Sequence, residues 1–177
     1  MSIALALVVA CSSNVTPAPP TPPAAERAPE PARDPAHPAP EPAPPVVDKG
    51  TDISGLTEEE RQAFLMALGE RVYTDGDGGI ACVTCHQLDG EGVRGAFPPL
   101  VGQEEWMGDC VTSASLVLDG MTGEIEVAGM KYSGVMVGQA AMLNDLQVAA
   151  VISYVRQSWG NDYGFCGPEH VATARTE

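Results

Sequence analysis

Cys82-Val83-Thr84-Cys85-His86 reads C-x-x-C-H, and these five residues decide how the rest of the chain is read. Three chemistries use a C-x-x-C pair. One is half of a zinc site, which needs two further ligands. Cys110 and Cys166 are single and far apart in sequence, and do not form a second knuckle. Another is a redox dithiol, which needs a preceding strand in a βαβ pattern, and no such pattern surrounds Cys82. The third is covalent haem attachment, and here the adjacent histidine has a purpose. The two thiols add to the two vinyl groups of a haem, and the imidazole that follows lies under the iron as its proximal ligand. On this reading Cys82 and Cys85 are anchors and His86 is an iron ligand.

Upstream of the motif, Thr57-Glu58-Glu59-Glu60 is a capping box, with Thr57 as N-cap and Glu60 three residues on. Its acids suit the positive end of a helix dipole. Phe64, Leu65, Leu68 and Val72 follow at helical spacing, so the pattern predicts a helix over 58–72. Asp75-Gly76-Asp77-Gly78-Gly79 then breaks it. Downstream, 90–102 reads as loop, a short helix begins near Glu104 and includes Trp106, and another covers 113–118. The stretch 123–138 holds four glycines and reads as turns and loop, with Ile125 and Val127 alternating as in a short hairpin. Asn144, with Gln147 three residues on, opens a last helix. Leu146, Ala149, Ala150, Ile152, Tyr154 and Val155 give it a broad apolar face, and it closes near Trp159-Gly160-Asn161. The expectation is an all-α domain of three to five helices, with long loops wrapped around one covalently bound haem. Loops this long need something to organise them. Aromatic residues are only 5% of the chain, a thin core that a large apolar cofactor would fill. An iron that only passes electrons needs a sixth ligand, for which methionine is a common choice that raises the potential. The candidates are Met130, Met136 and Met142, with His170 a weaker one.

The N-terminal part has another character. Residues 1–10 form an apolar run too short to span a bilayer and of signal-peptide length. Val8-Val9-Ala10-Cys11 resembles a bacterial lipobox, in which cleavage precedes a lipidated cysteine, although no Lys or Arg precedes the run. Of the 16 prolines, 13 fall between Pro17 and Pro45. Such a segment favours extended polyproline II and cannot bury a core. It reads as a disordered spacer of about 3 Å per residue. The expected organisation is a signal peptide over 1–10, a lipid anchor and linker over 11–50, a haem domain over 51–165 and a tail over 166–177. The chain's net charge is −15, and from Val46 onward 20 acids face 7 bases, a net of −13. That disfavours nucleic acid and anionic headgroups as partners and favours a basic docking patch.

From about Leu56 to Asn161 the chain resembles the class I cytochromes c, in their bacterial periplasmic branch. Gly69 and Tyr73 resemble the small residue and the aromatic where the family's first and last helices cross, and Tyr154 the aromatic they pack against. Phe97-Pro98-Pro99-Leu100 resembles the segment whose proline carbonyl accepts the Nδ1–H bond of the proximal histidine. The family's Pro-x-Leu spacing makes that Pro98, with Pro99 the alternative. Tyr132-Ser133-Gly134-Val135-Met136 is similar to the family's Y-x-G-x-M-P, which implies Met136 as axial ligand. Val137 stands where proline is usual, and Met142 is held in reserve.

The resemblance implies one haem c with His86 and Met136 on its iron, and single-electron transfer without catalytic residues. The implied partners are a quinol-oxidising complex or dehydrogenase as donor and a terminal oxidase or reductase as acceptor. The implied place is the periplasm or outer face of the cell membrane, lipid-anchored through Cys11. A fixed subunit of a larger quinol-oxidising or oxidase complex is the alternative, and an open-iron sensor or enzyme a third. Cys110 and Cys166 have no counterpart in the family pattern, and in an oxidising compartment two spare cysteines are expected to pair.

Overall fold

A computed structural model describes residues 51–176. The signal segment, Cys11 and the proline-rich spacer lie outside the described residues. The capping box at Thr57 forms as expected. The Thr57 amide donates to Glu60 Oε2 at 2.9 Å, and the Glu60 amide donates back to Thr57 Oγ1 at 3.3 Å. Helix α1 (Glu58–Asp75) runs three residues past the predicted end, to a left-handed Gly76 that satisfies its last turn. The box at Asn144 and Gln147 forms as well, at 2.9 and 3.1 Å. It starts helix α5 (Asp145–Gln157), which ends two residues before Trp159.

These two helices form the central contact of the fold, and Gly69 sets it. A Cβ at Gly69 would strike the Ala150 carbonyl oxygen and come within 2.6 Å of Tyr154 Cβ, so only glycine lets α1 and α5 cross so closely. Tyr73, Tyr154 and Trp159 surround the crossing, with ring centroids 5.3–5.8 Å apart and planes tilted, the arrangement aromatic quadrupoles favour. The Tyr73 hydroxyl donates to the Gln87 carbonyl at 2.6 Å, and Trp159 Nε1 donates to the Leu88 carbonyl at 2.9 Å. The crossing therefore holds the two residues that follow His86.

The attachment motif itself folds as a single turn, α2 (Val83–His86). A second single turn, α3 (Glu104–Met107), contains Trp106. Helix α4 (Cys110–Asp119) begins three residues earlier than periodicity suggested, because Asp109 caps it by accepting the Thr112 amide at 2.8 Å. Strands β2 (Ile125–Val127) and β3 (Met130–Tyr132) form the anticipated hairpin. The stretch read as turn and loop also contributes a second small ladder, in which β1 (Gly120–Met121) pairs antiparallel with β4 (Met136–Val137). The domain is thus mainly helical, but with two strand pairs among its loops and a sixth helical segment.

That sixth segment, α6 (Pro168–Ala174), corrects the reading of 166–177 as a tail. Helix α5 is buried nearly all round, with ten buried residues, seven of them apolar. Such a helix needs cover on its far side as well. Residues 160–174 supply it, with Cys166 and Val171 fully buried. The Ser153 hydroxyl donates to the Cys166 carbonyl at 3.2 Å and accepts from its amide at 2.9 Å. The buried Arg156 guanidinium donates to the carbonyls of Met107, Tyr163 and Gly164. A disulfide joins Cys110, at the start of α4, to Cys166. Among the described residues no helix is long and apolar enough to cross a membrane.

The disulfide closes a loop across a sequence separation of 56 residues. Loop-closure entropy assigns such a bond about 2–4 kcal/mol. Reduction, or the double substitution Cys110→Ser and Cys166→Ser, is expected to lower unfolding stability by that amount in urea titrations. An unchanged midpoint would show that the bond does not constrain the chain.

Candidate functional site

The turn α2 presents Cys82, Cys85 and His86 to one apolar space. His86 is buried, and its Nδ1 lies 3.0 Å from the Pro98 carbonyl oxygen. A carbonyl can only accept, so Nδ1 carries the proton and Nε2 keeps its lone pair. Nε2 has no hydrogen-bond partner among the described residues. Burial pushes the imidazole below its usual range, and the bond to Pro98 opposes this in part. The ring is therefore neutral at neutral pH, the form that binds a metal. The carbonyl of Pro98 rather than that of Pro99 takes the bond. The loop carrying it is pinned to the motif by the Gly92 amide on the His86 carbonyl at 3.0 Å and the Leu100 amide on the Gly90 carbonyl at 2.7 Å.

The space beside His86 consists of two adjoining cavities. The outer one is walled by Cys85, Ile80, Phe97, Tyr132, Val135 and Val137, among others. The inner one is walled by Leu100, Trp106, Met107, Val151, Ile152 and Val155, among others. Both are bounded by Cys82, His86 and Pro98 on the one hand and by Val117, Met121, Ile125 and Met136 on the other. The cavities thus meet at the level of His86, and two thioethers line the junction. Neither Met130 nor Met142 lines either cavity. His170 is bonded to Gly167 at the start of α6, outside both. Of the sequence candidates for sixth ligand, the structure brings only Met136 to the same space as His86.

The donor set fits a haem and does not fit the rivals. Among the described residues no group of three or more His, Cys, Asp or Glu side chains is gathered as a metal cage would require. Cys110 and Cys166 are consumed by each other. Burial pushes the Cys82 thiol up to about 11, the opposite direction from the lowered range of a reactive dithiol. A broad apolar group bonded through two thioethers suits this wall, because it buries surface without leaving charged sulfur behind. His86 Nε2, with its lone pair free, would then be available to hold the iron of such a group.

Sequence reasoning missed Met121, Tyr132 and Gln139 as wall residues. Gln139 is buried, and its Oε1 accepts the Ile80 amide at 3.0 Å. That bond ties the segment after Met136 to the one before Cys82. Met121 lies in a strand two residues long, and no periodicity could flag it.

Known proteins resemble this chain over its haem-motif region. The family model described as cytochrome c matches residues 66–159, more than half of the chain. One cytochrome c-552 of Thermus thermophilus is 40% identical over 103 residues, 56% of this chain and 65% of its own. A second Thermus thermophilus cytochrome c-552 is 42% identical over 97 residues, 52% of this chain and 69% of its own. The cytochrome c subunit of the quinone alcohol dehydrogenase of Gluconobacter oxydans is 35% identical over 82 residues, 46% of this chain but only 17% of its own. The match thus spans about two thirds of the Thermus proteins and a small part of the dehydrogenase subunit. The chain belongs to the cytochrome c family, and its cofactor is one covalently bound haem c.

Proposed function

We propose that this chain is a single-electron carrier, exported and held at a membrane surface by a lipid on Cys11, with the proline-rich segment as spacer. The observation that carries the redox reading is that His86, its Nδ1 held by Pro98, and Met136 line the same apolar space. The haem iron, when bound, supplies a one-electron couple. His86 offers Nε2 because Pro98 holds Nδ1, and such a bond also makes the imidazole a stronger donor. Met136 would hold the iron from its thioether sulfur. The apolar wall excludes water, so little solvent must reorient when the charge on the iron changes. Ile80, Val135 and Val137, which are 43%, 65% and 52% exposed, rim the outer cavity. That rim is where the cofactor's edge meets a partner. The donor is a quinol-oxidising complex or a dehydrogenase, and the acceptor a terminal oxidase or reductase. The acidic surface steers the carrier to basic patches on these partners.

A second reading is favoured by the likeness to a dehydrogenase's cytochrome c subunit. On that reading the chain is a fixed part of a larger complex and passes electrons inside it. Salt distinguishes the two, since electrostatic encounters are screened while a buried interface is not.

Potentiometric titration of the holoprotein is expected to follow a single one-electron Nernst curve. The oxidised protein is expected to show the weak far-red band of methionine on ferric haem, and Met142→Ala to keep it. A wild-type spectrum without that band would reject the His/Met carrier in favour of an open iron. When native membranes are washed at moderate salt, a carrier should purify alone. Persistent co-purification with a dehydrogenase or oxidase would instead establish the subunit.

A further inference from the structure

Met121 and Met136 are direct partners in the β1–β4 ladder. Opposed residues of an antiparallel pair project from the same face with Cβ atoms about 4.5–5.5 Å apart. Both side chains line both cavities, as His86 does, and both are only partly buried. Met107 lines the inner cavity alone. Among the described residues, then, Met121 and Met136 are the two thioethers that line both cavities together with His86.

The ladder that presents them is tightly built. Gly120 has φ +73, and a Cβ there would strike the Met136 carbonyl oxygen. Beyond β4 the Gln139 amide donates to the Val117 carbonyl at 2.9 Å, and the Ala140 amide to the Leu118 carbonyl at 3.1 Å. The backbone under the two methionines is therefore fixed, while each side chain keeps its flexible, unbranched reach.

We propose that Met121 is a second thioether for the sixth position of the iron, taking it when Met136 is lost or withdrawn. This rests on the reading of Met136 as the resident ligand. The exchange makes one iron–sulfur bond as another breaks and moves no electron or proton. It keeps the iron closed to water and small exogenous ligands, and so preserves the carrier against loss of its first ligand. A methionine that merely filled space would give no such protection.

The test uses the holoprotein with Met121→Leu, with Met136→Ala, and with both. The readouts are the far-red band of the oxidised form and carbon monoxide binding to the reduced form. Met121→Leu is expected to keep the band through Met136. Met136→Ala is expected to keep a band, shifted in position, and to bind carbon monoxide slowly. The double variant is expected to lose the band and bind carbon monoxide at once. If Met136→Ala loses the band as completely as the double variant, Met121 is no ligand and the proposal is overturned. If Met121→Leu alone abolishes it, Met136 is not the resident ligand and the proposal falls with that reading. A wild type without the band would reject the His/Met reading itself. Should Met136→Ala not fold, Met136→Val, which removes less volume, decides between the same outcomes.

Discussion

The site depends on the crossing of α1 and α5 at Gly69. A methyl group there would collide with the backbone of α5, and the aromatic rings of Tyr73, Tyr154 and Trp159 could not meet as they do. Through Tyr73 and Trp159 the same crossing binds the carbonyls of Gln87 and Leu88. It thereby fixes the end of the attachment turn, and with it the imidazole of His86. A close helix contact has been turned into the coordinate frame of a ligand.

From that frame the chemistry follows by small steps. The bond to Pro98 selects one tautomer of His86, and burial keeps the ring neutral. The apolar cavity and two thiols suit a large hydrophobic group held by covalent bonds. Few aromatic residues are needed elsewhere, because the cofactor takes much of the core. The one-electron role proposed for the chain needs no acid, base or nucleophile, and the exposed side chains at the mouth of the outer cavity, among them Ile80, Val135 and Val137, are apolar.

Much of this was legible in the sequence because it is written locally. The C-x-x-C-H motif and the two capping boxes are each complete within five residues, and both boxes form as read. Pro98 was legible only through resemblance, and Met136 stood as one of three methionine candidates until the resemblance singled it out. Met121 was illegible for a physical reason: a two-residue strand has no period, and its partner is fifteen residues away. The helix at Pro168–Ala174 was hidden as well. Seven residues carry too weak a pattern on their own, and their burial depends on packing against α5 and on the tie at Cys166.

The measurement that bears most directly on the central claim is the intact mass of the exported protein under denaturing conditions. One covalent haem on Cys82 and Cys85 predicts a chain heavier by one haem, with the added mass resistant to acid extraction and to reductant. A chain of unmodified mass, with both thiols free to alkylation, would contradict it.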